Sequence, residues 1–467
     1  MTQAAAPGWQ GECPRRAALA SRRDGAPGAA ALLAPGFSET PWWLEGMAPP
    51  PPLADAPPEQ AEVVVIGSGY TGLNAALETV RGGRHTVVLE AGEPGAGCST
   101  RNGGQISTSV KPDLSKLARV HGEDRARAIR AEGRTALDWI EARVADEGIA
   151  CDFRRAGRFH AAHTPAAYEA LTAGLASAEE PGSEWHAVPR AEMAAELGTD
   201  LYSGGVVYPR FACLHPAAYH RGLLERVLAA GAAVVPHCPA LAIRREAGGF
   251  EIATPNGTIR ARDVVVATNG YTGALTPWLR ARVIPIGSYI IATEPLPEAL
   301  AARLFPTGRM VSDTRRVVYY FRLCPEGRRV IFGGRVAAAE TDPRASAPKL
   351  HAEMVRIFPE LAETRISHSW LGFVAYSFDE LVHTGVHDGV HYAMGYCGSG
   401  VSMASYLGYR IGQRILGTRE GRTAFDGLPF PTRPLYSGRP WFLPAVVAWY
   451  RWSDARALAA ARRARGG

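Results

Sequence analysis

Along this chain apolar residues gather into short unbroken runs, several of them ending in a glycine-rich break with helical spacing beyond it. Val63-Val64-Val65-Ile66 is the first such run, and its lack of alternation predicts a strand covered on both faces. It stops at Gly67-Ser68-Gly69-Tyr70-Thr71-Gly72. Leu73, Ala76, Leu77 and Val80 then mark one face of a helix that Gly82-Gly83 closes, and Thr86-Val87-Val88-Leu89 is a second strand ending in Glu90. Strand, helix and strand in this order predict a βαβ unit. Farther on, Phe250-Glu251-Ile252-Ala253-Thr254 and Thr258-Ile259-Arg260-Ala261 flank Pro255-Asn256-Gly257, a hairpin signal. Asp263-Val264-Val265-Val266 leads into Ala267-Thr268-Asn269-Gly270 as a buried strand that rejoins the same sheet. Val390-His391-Tyr392-Ala393-Met394 reads as a strand, Gly395-Tyr396-Cys397-Gly398-Ser399-Gly400 as a turn and residues 402–416 as a helix. Residues 126–144 show helical periodicity, and 283–292 and 317–323 are strand-like.

The ends read differently. Pro49 to Pro52 and Pro57-Pro58 define an extended surface arm, so residues 1–58 are expected to be a disordered, proline-rich extension. Arg15-Arg16 and Arg22-Arg23 suggest a twin-arginine leader, but the apolar stretch at 29–34 is short and weak. Residues 421–467 hold five prolines with Trp441, Trp449, Tyr450 and Trp452, aromatics expected to pack this tail on the body. A tail helix over 444–462 has no continuous apolar face for a membrane.

Composition narrows the class. The 467 residues carry 51 Lys+Arg against 45 Asp+Glu, and this diluted +6 does not favour nucleic acid as a partner. No apolar stretch approaches the ~20 residues of a membrane span. Seven cysteines without a C-x-x-C pair point to free thiols in a reducing compartment, hence a cytoplasmic protein. His160 and His163, and His383, His387 and His391, have ligand-like spacings, but glycines interrupt the second set and neither has a carboxylate cluster, so no metal is expected.

The glycine motif has a specific chemistry. Gly67 permits the sharp turn, Gly69 lets backbone approach a pyrophosphate, and Gly72 lets helix and strand pack closely. Phosphates would sit at the helix N-terminus, where unpaired N–H groups favour anions. Glu90 is placed to accept both hydroxyls of an adenosine ribose and to repel a 2′-phosphate. The loop Ala91-Gly92-Glu93-Pro94-Gly95-Ala96-Gly97-Cys98-Ser99-Thr100-Arg101-Asn102-Gly103-Gly104-Gln105 offers small residues where a flat ring could lie and an arginine for anionic oxygens. A plain nicotinamide domain has no use for it. The start of the helix over 402–416 would be a second anion site.

In this order, residues 63–72, Glu90, 99–105, 264–270 and 395–400 resemble the D-amino-acid-oxidase-like family of FAD-dependent oxidoreductases, which includes glycine and sarcosine oxidases and the γ-glutamylputrescine oxidase type. The likeness runs from about Trp42 to Trp452 and includes Cys151-Asp152-Phe153-Arg154 and Tyr319-Tyr320-Phe321-Arg322-Leu323. It implies an α/β fold. A Rossmann-like FAD-binding domain of the glutathione-reductase kind would form from 59–115, 208–282 and 366–420, and an interleaved α+β substrate domain with a mixed or antiparallel sheet from 116–207 and 283–365. FAD contacts implied by the resemblance are Gly67, Gly69, Tyr70, Thr71, Gly72, Glu90, Ala91, Ser99, Thr100, Arg101, Asn102, Gly103, Gly104, Gln105, Ala240, Ala267, Thr268, Asn269, Gly270, Gly395, Gly398, Ser399, Gly400, Val401 and Ser402.

The implied reaction is oxidation of a carbon–nitrogen bond in a small amine or amino acid, with hydride transfer to flavin N5 and hydrolysis of the imine. No nucleophile is required. Tyr320 and Arg322, alternating on one strand face, would cover the site and pair with a carboxylate, while Trp370, Tyr376 and Asp379 would line the pocket. In the sarcosine-oxidase branch a lysine follows the last glycine turn where this chain has Ser402, which leaves the acceptor open between oxygen and another carrier. The cysteine that holds FAD in that branch corresponds to Gly372, near Phe378-Asp379-Glu380, which implies non-covalent FAD. Cys397 in the glycine turn is read as a small filling residue.

Overall fold

The computed structural model describes residues 32–176, 185–335 and 341–466, and the twin arginines lie outside these. Two sheets organise the chain. In the first, β2 (Gln60–Ile66) lies between β3 (Thr86–Leu89) and β12 (Gly257–Val266), with β9 (Ala233–Val235) beyond β3, all parallel. β12 is shared along its length. Its first half pairs with the antiparallel β11 (Gly249–Thr254), which continues to β10 (Ala242–Glu246). Its second half pairs in parallel with β19 (Val390–Met394), which carries β18 (His383–His387). Val63 and Val65 enter a core covered by α1 (Tyr70–Arg81), α2 (Glu123–Asp146), α3 (Pro216–Ala229) and α5 (Gly400–Ile415), whereas Val64 and Ile66 enter the core on the opposite face. Burial on both faces is why this run shows no alternation.

The second sheet has nine strands in the order β1 (Leu33–Ser38), β17 (Ile366–Tyr376), β13 (Ile284–Thr293), β16 (Val330–Gly334), β15 (Tyr319–Leu323), β14 (Met310–Asp313), β5 (Arg158–Ala161), β7 (Gly204–Tyr208) and β6 (His186–Pro189). It is mixed, since β1 with β17 and β14 with β5 run parallel and the other pairs antiparallel. Tyr289, Ile291, Tyr319, Phe321 and Phe332 pack with Leu350, Met354 and Ile357 of α4 (Pro343–Ile357) on one face. Ile290, Ala292, Tyr320 and Trp370 form the other face, which meets Trp42 and Trp43. A two-stranded ladder of β4 (Gln105–Ile106) and β8 (Ala212–Cys213) lies where the segments of the two sheets meet in sequence.

Three expectations change. Residues 33–44 are not an unstructured arm: β1 extends the edge of β17, and Trp42 and Trp43 are buried, because their rings complete an apolar face that the sheet would otherwise expose. The proline stretch after them has no regular structure and is tied down by Arg221, which donates to the carbonyls of Ala48 and Pro49 at 2.7 Å each. The boundary at 366 also moves, since β17 belongs to the second sheet through its long pairing with β13. In the tail, Trp441, Trp449 and Trp452 are exposed, and α6 (Leu443–Gly466) turns Leu443 and Val447 inward instead. Asp454 fixes this helix by accepting from the Arg316 and Val317 amides at 3.2 and 3.3 Å. Among the described residues no helix is long and apolar enough to cross a membrane.

Candidate active site

The carboxyl ends of β2, β3, β12 and β19 bring the glycine-rich segments to one edge of the parallel sheet, where such folds open their ligand crevice. At the end of β2 the chain turns so tightly that a Cβ on Gly72 would stand 1.9 Å from the Gly67 carbonyl oxygen and 3.1 Å from Val65 Cγ1. Only glycine permits this contact between helix and strand. No side chain caps α1, and the Tyr70 amide donates to Ser99 Oγ at 3.0 Å. The first turn therefore presents backbone donors and the positive dipole end toward the loop after β3.

Glu90 ends β3. One carboxylate oxygen accepts from the Ser68 amide at 2.9 Å and the Ser68 hydroxyl at 2.7 Å, and the other accepts from the Gly92 amide at 3.1 Å. Three donors fix its orientation and leave acceptor capacity unused. His220 supports this corner by donating from Nε2 to the Ser68 carbonyl at 2.8 Å, and burial lowers its pKa, which keeps it neutral. Ala91 follows Glu90 directly, and both Ala91 and Ala240 are half-buried.

The loop over 98–105 is held from several sides. Asn102 Nδ2 donates to the carbonyls of Cys98 and Ser99 at 3.1 and 3.0 Å, and its Oδ1 accepts from the Gly104 amide at 2.8 Å. Trp43 Nε1 donates to the Asn102 carbonyl and Trp370 Nε1 to the Arg101 carbonyl, both at 2.9 Å. Thr100 donates to the Gly95 carbonyl at 2.7 Å, and Arg101 Nε to the Ala96 carbonyl at the same distance. Gly103 faces the Tyr320 ring, and Gln105 Nε2 reaches the Val311 and Phe321 carbonyls at 3.4 and 3.5 Å.

The remaining segments close the edge. The Ala267 amide donates to the Ile66 carbonyl at 2.9 Å, and Asn269 Oδ1 accepts from the Gly395 amide at 3.0 Å. Thr268 bonds Thr272, and a Cβ on Gly270 would stand 2.6 Å from the Phe373 carbonyl oxygen. Thr71 Oγ1 and Tyr396 Oη lie 2.6 Å apart, joining α1 to the last glycine turn. There, Ser399 Oγ donates to the Ser109 carbonyl at 2.8 Å rather than capping α5. Ser402 Oγ is buried within the first turn of α5 without any hydrogen-bond partner. A buried hydroxyl left unpaired at an uncapped helix start suits an anionic or carbonyl group of a bound cofactor. The glycine cradle, Glu90 and Ser402 together fit a dinucleotide.

The substrate-site candidates separate. Tyr320 stays on the face toward Gly103, its hydroxyl 2.9 Å from Ser288 Oγ. Arg322 shares that face but is buried, donating to the carbonyls of Leu214, Gly104 and Leu323. These bonds use Nε and Nη1 and prop the loop, while Nη2 is buried without a hydrogen-bond partner. Trp370, fully buried, is likewise a support beneath Arg101. Asp379 Oδ1 accepts from the Leu381 amide and from His383 Nε2 at 3.0 Å, a turn-stabilising role. Tyr376 accepts a 2.9 Å bond from Lys111 Nζ.

A Cβ at Gly372 would lie 3.2 Å from Arg101 Cβ and 3.4 Å from Cys98 Sγ. Burial raises the Cys98 and Cys397 thiols to about 11, and Cys397 donates to the Gly395 carbonyl at 3.1 Å. The histidines are dispersed: His160 meets Ser312, His163 meets Thr314, and His387 stacks on Trp278 with centroids 3.8 Å apart. Sequence reasoning missed Trp43 and Lys111. An aromatic pair beside a proline stretch, and a lysine in a chain with only three, were the available signals.

Comparison with known proteins agrees with this geometry. Residues 62–414 match the family described as FAD dependent oxidoreductase, DAO. The chain is 31% identical over 438 residues to the probable oxidoreductase OrdL of Rhizobium meliloti, covering 90% of this chain and 98% of the relative. It is 29% identical over 406 residues to the gamma-glutamylputrescine oxidoreductase of Escherichia coli, covering 84% and 92%. Among solved structures, glycine oxidase from Geobacillus kaustophilus superposes with a TM-score of 0.68 at 18% identity, covering 81% of this chain and 99% of that one. With its dinucleotide cradle, its mixed second sheet and a match spanning most of its length, the chain belongs to the DAO family of FAD-dependent oxidoreductases.

Proposed function

We propose that the protein oxidises a carbon–nitrogen single bond of a small amine or amino-acid-like substrate. The observation that carries this reading is the similarity over almost the full length of the gamma-glutamylputrescine oxidoreductase of Escherichia coli, an enzyme named for an amine substrate. Bound FAD supplies the hydride acceptor for such a bond. The chain's part is to bind and orient. Residues 67–72 take the pyrophosphate, Glu90 the ribose hydroxyls, with Ala91 and Ala240 beside the adenosine, and residues 99–105, 267–270 and 395–402 enclose the ring. Tyr320 closes the substrate side, and the start of α5 with Ser402 stabilises negative charge. Neither thiol near the site is acidified, which supports non-covalent retention. The six free cysteines of the described residues support a reducing, cytoplasmic location.

Anaerobic addition of amines, N-methyl amino acids and γ-glutamyl polyamines tests the reading. At least one should bleach the yellow flavin absorbance. Tight FAD binding without bleaching by any of them would instead mark a non-catalytic flavoprotein. Peroxide released in air identifies oxygen as the acceptor, and its absence despite turnover identifies a dehydrogenase passing electrons to another carrier. Acid precipitation should release all of the flavin into the supernatant.

A further inference from the structure

Lys111 stands in the stretch between β4 and α2, and its ammonium reaches the last glycine turn. It donates to Tyr376 Oη at 2.9 Å and lies 4.7 Å from the centre of that ring. Beside it is a cavity of about 20 Å³ lined by Ser109, Lys111, Glu380, Cys397 and Ser399 among others. The charges there are unbalanced. Glu380 is ion-paired with Lys116, Oε2 to Nζ at 3.5 Å, whereas Lys111 is hydrogen-bonded to the Tyr376 phenol and, among the described residues, makes no ion pair of its own. Lys111 is exposed; partial desolvation works against its charge, but the hydrogen bond to Tyr376 and the nearby Glu380 carboxylate favour it and raise its pKa, so it remains an ammonium. Ser399 in the cavity wall is the residue before the uncapped start of α5, whose dipole adds positive potential.

Arg322, the guanidinium that the strand pattern offered for an anionic substrate group, spends Nε and Nη1 on three carbonyls and is buried, keeping only Nη2 unpaired, whereas Lys111 is exposed at the cavity. We propose that Lys111, held in place by Tyr376, is the subsite for the carboxylate of an amino-acid-like substrate. A carboxylate is a stronger acceptor for an ammonium than a phenol oxygen, so it takes the place of Tyr376 as partner. The small volume and single lysine suit one carboxylate better than a phosphate, which needs more donors. This assignment rests on the amine-oxidation reading for its substrate, but its binding chemistry can be measured separately.

The test titrates purified holoprotein with propionate and its neutral isostere propionamide, following the perturbation of flavin absorbance. Lys111→Met is expected to weaken propionate about 10–100-fold relative to propionamide, as for loss of one charge-assisted bond. Lys111→Arg is expected to keep propionate within about threefold of wild type, and it carries the test if the Met variant does not retain flavin. An unchanged propionate-to-propionamide ratio in Lys111→Met, or a wild-type flavin that propionate does not perturb, overturns the assignment. With any amine acid that bleaches the flavin, Lys111→Met should also lose preference for the free acid over its methyl ester. Bleaching with that preference intact sinks the subsite and leaves the amine reading standing. A propionate response that depends on Lys111, with no amine able to bleach the flavin, supports the subsite and removes the amine reading.

Discussion

Gly72 and Glu90 show how much a single position can carry. An alanine at 72 would drive its Cβ into the Gly67 carbonyl, a backbone atom that cannot move without undoing the glycine turn. Overpacking usually costs about 1–3 kcal/mol, and this rigid contact should reach the upper end or exceed it. Urea melts and the flavin-to-protein absorbance ratio of Gly72→Ala should both fall. Glu90→Gln keeps the shape but offers one acceptor end, so either the Ser68 or the Gly92 amide must face an amide NH₂. FAD affinity, measured by titrating apoprotein and following flavin fluorescence, should drop about tenfold or more. Both residues were readable because the βαβ spacing fixes them locally. Arg322 was not. Alternation along β15 placed it on the correct face, but the carbonyls that occupy it come from Gly104 and Leu214, which are distant in sequence.

At the scale of elements, the strands and helices around the cofactor edge follow the apolar pattern closely, whereas β1 escaped it. Its LAPGFS sequence contains proline and glycine, and it is a strand because β17 offers an open edge beside it. The same segment delivers Trp43 to the cofactor loop. Trp43→Phe loses the bond to the Asn102 carbonyl and part of the buried ring volume, so it should cost about 1–3 kcal/mol. Trp43→Ala should cost about 3–5 kcal/mol through the cavity it leaves. Thermal melts of the two variants measure both. If the alanine variant melts like wild type, the N-terminal segment does not brace the loop.

Across the whole molecule the buried histidines set the pH response. Burial lowers the pKa of His160 to about 3 and also lowers His163, His215, His220, His351, His368 and His391. The unfolded chain takes up protons at these groups near pH 6.5 and the folded chain resists, so their contribution is complete above that pH and is lost as pH falls below it. Asp313 opposes this. Burial raises it to about 6, so the folded state protonates first and gains stability between about 6 and its ordinary value. Seven groups act against one, and urea melts at pH 7 and pH 5 should differ, with the acid side weaker. His160→Gln should flatten the slope. The sequence alone determined the parallel sheet, the glycine cradle and the acidic partner, because each follows from the period of apolar residues and from turns that only glycine can make. The tertiary structure decided which polar side chains remain available. Trp370 and Asp379 are taken by a backbone carbonyl and a neighbouring histidine, Arg322 is buried with Nε and Nη1 on carbonyls, and Lys111 is left facing a phenol, because burial and long-range hydrogen bonding are properties of the assembled sheets and of no local stretch.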